Sequence, residues 1–237
     1  MRIVKVMDRN SNSYTIIYVA VMVVIVAFVL AFTAGALKER INKNVELDKK
    51  RQILASLNID ATARNAEALF YQYIKEVIVV NYRGELIEGI DGGFRIELER
   101  EKRKPIEERL LPVFIAEKDG QTYYVLSLFG SGLYGPLWGY ISLKADRNTV
   151  YGAHFSHKGE TPGLGAEIGR RDFHETFQGK EIFKDGQFKS IAVVKSGRSV
   201  EGMDFVDGIS GGTITSHGVD RMLFYSIRAY KEFLIKR

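Results

Sequence analysis

The feature that most constrains the fold is an uncharged segment near the amino terminus. No Asp, Glu, Lys or Arg occurs from Asn10 to Leu37, and the 24 residues from Tyr14 onward are almost continuously apolar. At about 1.5 Å per residue, such a helix spans roughly 36 Å, enough to cross a bilayer core of about 30 Å with some tilt. The sequence therefore predicts a transmembrane helix at residues 13–37, preceded by a cytoplasmic tail at residues 1–12.

A buried core helix and a cleaved signal peptide are the alternative interpretations of this segment. Small residues between Ala31 and Ala36 suit a cleavage site. The apolar run is longer than the hydrophobic core of about 7–15 residues that signal peptides carry, which favours a retained anchor. The flanking charges bear on orientation, since three basic residues precede the run and six follow it within residues 38–51. A positive-inside count thus favours a cytoplasmic carboxyl-terminal domain, but the rule is weak for long domains, so these charges leave the side open.

Composition narrows the functions that remain. The 237 residues allow one membrane segment and one domain of ordinary size. The absence of Cys excludes disulfides, thiolate-ligated iron–sulfur clusters and a cysteine nucleophile. Although the formal charge is +5, no basic stripe interleaved with aromatics indicates nucleic-acid binding. No His or acid stands at ligand spacing from His157, so neither a metal site nor a catalytic residue is expected, and a redox role would need an organic cofactor.

The rest of the chain predicts a helical stalk at residues 38–58 and one domain at residues 59–237. A mixed charge run at residues 99–104 is typical of a solvated face or exposed loop, and no site is assigned to it. Strands in sequence with helices at either end predict an α+β domain whose sheet is largely antiparallel. Strand patterns occur at 77–82, 113–116, 122–129, 138–143, 150–156 and 190–195, and helical spacing occurs at 61–76 and 219–233.

The segment Asp207–Ser216 carries the strongest chemical signal. Thr213 follows Ser210, Gly211 and Gly212, where bare backbone allows a bulky partner to approach. The predicted helix that follows would place a bound phosphate near a positive helix terminus. Candidate cofactor-binding residues here also include Ile214 and Thr215, and the Thr215 hydroxyl is the alternative attachment point.

This segment resembles the Asp-x-x-(Ser/Thr)-Gly-Ala-Thr target of flavin transferases. Those enzymes join FMN to the threonine through a phosphoester, so the resemblance implies that Thr213 carries FMN and performs no redox chemistry itself. The chain departs from the pattern at Gly212, where the family usually has Ala.

Three further segments have the residue types of a flavin site. The first is the glycine-rich loop Gly130–Gly139, which includes Trp138 and could present flat aromatic surface, although a tight hairpin with structural glycines is the better explanation of this loop taken alone. The second could bind the polar edge of a flavin ring through a carboxylate, a hydroxyl and backbone amides, and its candidate residues are Glu160, Thr161, Gly163, Leu164 and Gly165. The third is Lys195, which ends an apolar strand and could stabilise an anionic flavin or a phosphate.

Taken in order, these segments resemble the NqrC family, the C subunits of sodium-translocating NADH:quinone oxidoreductases, over nearly the full chain. The matching features are the membrane helix and the segments 132–139, 160–165, 193–195 and 207–213. The resemblance implies covalent FMN on Thr213, maturation by a flavin transferase, and electron transfer to other membrane, flavin and iron–sulfur subunits. It also implies an anchor in the inner membrane and a domain outside the cytoplasm, in contrast to the charge count.

Two alternatives remain. The G subunit of Rnf-type electron-transport complexes shares most of these segments, but it is typically shorter and lacks an insert such as the one around Tyr82–Pro112. A membrane-anchored sensory or scaffold domain is the third interpretation. Gly130, Gly132 and Gly135 have Gly-x-Gly-x-x-Gly spacing after a strand pattern, but Pro136 and the strand pattern at 138–143 follow them where a dinucleotide-binding fingerprint needs a helix. The chain is therefore not expected to oxidise NADH by itself.

Overall fold

The computed structural model describes residues 12–90 and 93–236. The chain divides into two units, one ending at Glu46 and the other beginning at Leu47. The tail predicted at residues 1–12 lies, apart from Asn12, outside the described residues. The domain boundaries proposed from the sequence remain predictions.

The described part of the amino-terminal unit, from Asn12 onward, is helical. Helix α1 (Asn12–Ser56) covers the predicted membrane segment and most of the predicted stalk without interruption. Its most apolar 18-residue window has a mean hydropathy of 3.0, and none of that window is buried. By length and composition the helix can cross a membrane.

The second unit is built on a five-stranded antiparallel sheet of order β1-β2-β3-β4-β5. Its strands are β1 (Ile74–Val80), β2 (Leu111–Lys118), β3 (Gln121–Ser131), β4 (Pro136–Leu143) and β5 (Val150–His157). Asp119 and Gly120 join β2 to β3 with positive φ at both residues, as a tight hairpin of right-handed twist requires.

Shorter elements surround this sheet. The helices are α2 (Ala66–Tyr73), α3 (Leu98–Arg103), α4 (Arg171–Glu175), α5 (Thr213–Ala229) and α6 (Lys231–Ile235). The strands β6 (Phe183–Lys184) and β7 (Gln187–Phe188) form a hairpin, and β8 (Ile191–Val194) pairs in parallel with β9 (Asp204–Asp207). The α+β architecture with a largely antiparallel sheet is confirmed.

Strand alternation gives the sheet two separate cores. In β4, Leu137 and Ile141 belong to a large cluster that includes Val219 and Leu223 of α5, here called the α5-side core. Tyr140 points the other way, into the α1-side core, where Leu54 of α1 is fully buried. Because successive side chains in a strand face opposite sides, the face of each β4 residue follows from its position.

Several element boundaries differ from the sequence-based predictions. Helix α2 is shorter than residues 61–76, because β1 begins at Ile74 and pairs with β2. The helix predicted at 219–233 begins at Thr213 and is interrupted at Tyr230, where α6 follows. Part of the charge run at residues 99–104, expected to be a solvated face or loop, is helical in α3, and Glu101 is buried there.

Candidate flavin site

The amino terminus of α5 presents Thr213 to solvent. Thr213 is the first helical residue and is exposed, whereas Gly212 before it is buried. The amide of Ser216 is the first to bond back into the helix, to the Gly212 carbonyl at 2.8 Å. The amides of residues 213–215 have no acceptor within the helix, so this turn combines a free hydroxyl with anion-binding donors.

Thr215, the alternative hydroxyl, has a different environment. It is 2% exposed, and its Oγ1 donates to Glu160 Oε2 at 2.6 Å. Glu160 is also buried, and its Oε1 accepts the backbone N–H of Tyr134 at 2.9 Å. This Thr215–Glu160–Tyr134 bridge ties α5 to the loop after β5 and to the β3–β4 hairpin. The Thr215 hydroxyl is therefore committed to a structural contact.

Two glycines make room for that bridge. A Cβ at Gly132 would contact Glu160 Oε1, and a Cβ at Gly165 would contact Thr215 Oγ1 and lie 2.6 Å from Glu160 Oε2. A side chain at either position would displace the carboxylate. The glycines of the sequence pattern thus accommodate a buried acid at this point.

The segment from Thr161 to Gly165 lies beside the start of α5. The Thr161 carbonyl accepts the amides of Leu164 and Ala166, both at 3.1 Å, and Gly163, with φ of +75°, donates to Glu167 Oε1 at 2.9 Å. Leu164 is 43% exposed and covers Gly211, where a Cβ would lie 2.6 Å from Leu164 Cδ2. The structure therefore brings this loop and the Ser210–Thr213 turn together.

Lys195 lies at the carboxyl end of the parallel pair. Register pairs Val194 with Asp207, and the Gly208 amide donates to the Val194 carbonyl at 2.7 Å. Exposed Lys195 therefore lies beside the strand end from which the chain runs through Ser210 to α5. The two segments that the sequence singled out separately share one edge.

Trp138 is not part of this group, contrary to the sequence-based expectation. Its indole Nε1 donates to Gln52 Oε1 on α1 at 3.0 Å. Strand alternation explains the difference, because Leu137 faces α5 whereas Trp138 and Tyr140 face α1. Trp138 therefore belongs to the α1 side of the sheet, although it lies in the glycine-rich segment.

Another aromatic residue of this segment, Tyr134, contacts the group through its backbone. Its backbone binds Glu160, and its side chain is 62% exposed. Exposed Leu133, Leu164 and Ile214 add further apolar surface. The missed signal was the position of Tyr134 between Gly132 and Gly135, at the tip of a hairpin that opposes Ser131 to Pro136.

The departure at Gly212 has a local explanation. A Cβ there would lie 3.1 Å from the Cβ of Ile209 and 3.3 Å from the Cα of Gly165. Both distances are shorter than ordinary van der Waals contact, so Ile209 or Gly165 would shift by a few tenths of an ångström. A branched side chain at Ile209 fills the space that an alanine methyl would share.

The arrangement suits a phosphate-linked planar cofactor. Its donor set comprises a free hydroxyl, helix-terminal amides and a nearby lysine, and its exposed apolar groups can contact a ring. Among residues 12–90 and 93–236, no group of three or more His, Asp or Glu residues is placed to hold a metal ion. The chemistry of these residues fits FMN.

Comparison with known proteins agrees with this geometry. The FMN-binding domain family matches residues 132–227, which include Thr213 and the whole segment 160–165. The crystal structure of the Na(+)-translocating NADH-quinone reductase C subunit from Parabacteroides distasonis is 50% identical in sequence. The match covers 85% of this chain and 98% of that one, with a TM-score of 0.80.

The chain belongs to the C-subunit family of Na(+)-translocating NADH-quinone reductases. The C subunit of the Vibrio vulnificus (strain YJ016) reductase is 28% identical over 227 residues, covering 90% of this chain and 89% of that protein. Shewanella oneidensis NqrC, at 22% identity and a TM-score of 0.68, covers 81% of this chain and 96% of its own and shares the fold. Membership of this family favours the quinone-reductase interpretation over the Rnf-type alternative.

Proposed function

We propose that the chain is the electron-relay subunit of a Na(+)-translocating NADH-quinone reductase and carries FMN in phosphoester linkage to Thr213. The single observation that carries this proposal is the contrast between two hydroxyls of one helical turn. Thr213 is exposed at the helix start, whereas Thr215 is buried and bonded to Glu160. A transferase that delivers the FMN moiety of FAD needs an accessible hydroxyl.

The residues around Thr213 would each have a distinct role. The amides of residues 213–215 and the helix dipole favour the phosphate, and Lys195 adds positive charge. Leu164, with Ile214 and Tyr134, would offer apolar contacts to a ring system, while Ser210, Thr161 and Gly163 would supply polar groups at its edge. Exposed Gly211 would keep the backbone before Thr213 accessible, whereas buried Gly212 and Gly165 leave room for Ile209 and for the Thr215–Glu160 contact. Bound FMN would supply one- and two-electron chemistry, which none of these side chains can provide.

Covalent attachment has a physical purpose if the domain lies outside the cytoplasm, as we also propose. A flavin lost there is diluted without limit, whereas a phosphoester prevents its dissociation. The positive-inside count favours the opposite orientation, but it is weak for long translocated domains. Protease added to intact spheroplasts should remove the domain, and complete protection would contradict this orientation.

The partners are then the other subunits of the reductase, including its flavin and iron–sulfur subunits, together with the transferase during maturation. Electrons would pass through this flavin between redox subunits towards quinone. The single helix α1 carries no acid within residues 12–37, so sodium movement is assigned to partner subunits.

The experiment is intact mass and in-gel flavin fluorescence of the full chain expressed with its transferase. Wild type should carry one covalent flavin, and Thr213→Ala should carry none. Thr215→Ala is the matched control, which should retain covalent flavin although its contact with Glu160 is lost. Fluorescence retained by Thr213→Ala would overturn the assignment.

A further inference from the structure

A groove lies between α3 and α5, away from the residues assigned above. Its cavity of about 220 Å³ has a mainly apolar floor formed by Leu98, Leu110, Leu111, Phe129, Ala229 and Tyr230. A second depression shares Lys102 and Phe129 with it and continues to Gly132, Gly135 and Pro136. The α3–α5 groove is therefore elongated and ends at the β3–β4 hairpin that bonds to Glu160.

Lys102 and Arg109 line this groove, and Arg221 lies on α5 one helical turn before Tyr225, which also lines it. Lys102 Nζ lies 5.7 Å from the centroid of the Phe129 ring. Burial lowers the pKa of Lys102, and the charges of Arg109 and Arg221 lower it further. Within the described part of the chain, none of these three residues forms an ion pair. Arg109 donates instead to the carbonyls of Lys104 and Lys102, both at 3.0 Å.

In the charge run around α3, taken here from Glu97 to Lys104, Lys102 is the one cation without an acidic partner. Each of its other three cations is paired within the run, in contacts between Arg100 and Glu97, Arg103 and Glu99, and Lys104 and Glu101. Glu101 also lines the groove, but it is held by Lys104 at 2.8 Å and accepts the Leu110 amide at 2.9 Å. The mouth therefore has an excess of positive charge over an apolar floor.

We infer that the α3–α5 groove docks an acidic segment of another subunit of the reductase, with one apolar or aromatic side chain inserted over Phe129. Clustered like charges are unfavourable, and an opposing carboxylate relieves them. The elongated, open shape suits a chain segment, and an inserted side chain with charged neighbours is a common form of interface anchor. The inference rests on the proposed function, because it takes its partner from the same complex.

The position of the groove gives this docking a function. Gly132 at its end packs against Glu160, which bonds to Thr215, two residues after Thr213. A partner seated in the groove would lie beside the hairpin that carries Tyr134. Docking there would place another subunit next to the proposed flavin without using any residue that holds it.

Charge reversal tests the inference in the full complex. The double variant Lys102→Glu, Arg221→Glu alters exposed side chains, and Arg64→Glu, Lys75→Glu is the matched control on the α2–β1 surface. Affinity-tagged subunits are purified from membranes, and the content of the other subunits, the covalent flavin and the unfolding midpoint are measured separately. The first variant should lose roughly tenfold or more of the co-purified subunits. Its flavin content and unfolding midpoint should equal those of the control.

A second variant tests the apolar component. Tyr225 is 58% exposed at the groove edge, and Tyr225→Ala should weaken co-purification in the same assay. Wild-type subunit content in both groove variants would overturn the inference. A wild-type chain that co-purifies its partners but carries no flavin would instead contradict the proposed function and leave the docking result standing.

Discussion

The two faces of the five-stranded sheet serve different purposes. On the α1 side, Phe70, Phe94 and Phe114 pack edge to face, and buried Lys50 lies 5.0 Å from the Tyr71 ring centroid and 3.1 Å from Glu67 Oε1. On the α5 side, the same sheet leads to glycine turns and an exposed hydroxyl. The contrast teaches that the α1 side only packs the domain together, whereas the α5 side combines the larger core with exposed polar groups at the start of α5.

Phe114→Ala should destabilise the α1-side core without altering the residues around Thr213. Phe114 is 2% exposed and contacts the rings of Phe70, Phe94 and Tyr140. Its loss should reduce the free energy of unfolding by about 3–5 kcal/mol, as measured by urea denaturation. The folded fraction should still carry covalent flavin. A loss of flavin from folded protein would show that the two faces are coupled.

Lowering the pH should reduce the free energy of unfolding through His154, on the α1 side of the sheet. Burial, followed by the charges of His174 and Arg51, lowers the pKa of His154 to about 4. The unfolded chain then binds the extra proton between pH 6.5 and 4, so stability falls as pH decreases through that range. The effect should reach roughly 3 kcal/mol near pH 4. His154→Gln should show a shallower decline in urea titrations at pH 7 and 4.5, and an unchanged slope would contradict the assignment.

Glu160→Ala should disrupt the Thr215–Glu160–Tyr134 bridge beside Thr213. It removes the acceptor of both the Thr215 hydroxyl and the Tyr134 amide, and both donors are left without that partner. We expect a loss of about 2–3 kcal/mol in unfolding free energy and reduced flavin incorporation. Glu160→Gln is the control, since its amide oxygen can still accept one of the two bonds. Equal flavin incorporation in wild type and Glu160→Ala would show that the Thr215–Glu160–Tyr134 bridge does not support flavin attachment.

Trp138→Phe should separate the two faces most directly. The change deletes the bond to Gln52 and should lower the unfolding free energy by about 1 kcal/mol. Because the indole faces α1, the absorbance spectrum and fluorescence of the bound flavin should not change. A shifted flavin spectrum would restore Trp138 to the cofactor site.

Gly212→Ala should have the smallest effect. The new methyl would lie 3.1 Å from Ile209 Cβ, which a slight adjustment relieves. The expected change in unfolding free energy is under about 1 kcal/mol, with flavin incorporation at the wild-type level. If in-gel fluorescence showed no flavin on the alanine variant, this prediction would be wrong.

The sequence predicted the fold class and singled out the segments 160–165 and 207–213, which the structure brings together, because both depend on local patterns. Apolar alternation marked the main strands, and glycines with Thr213 marked the turn. Tertiary pairing decided the rest: β1 took residues expected to be helical, and the two-residue strands β6 and β7 were too short to recognise. A loop composition does not reveal that the Trp138 indole bonds to Gln52 on α1 whereas the Tyr134 backbone bonds to Glu160.

Tandem mass spectrometry of the tryptic peptide at residues 199–221 tests the central claim most directly. This peptide contains both Thr213 and Thr215 and has no internal Lys or Arg. Prepared from chain matured with its transferase, it should gain the mass of FMN less one water, with fragment ions that place the addition on Thr213. An unmodified peptide, or fragments that place the flavin on Thr215, would contradict the account.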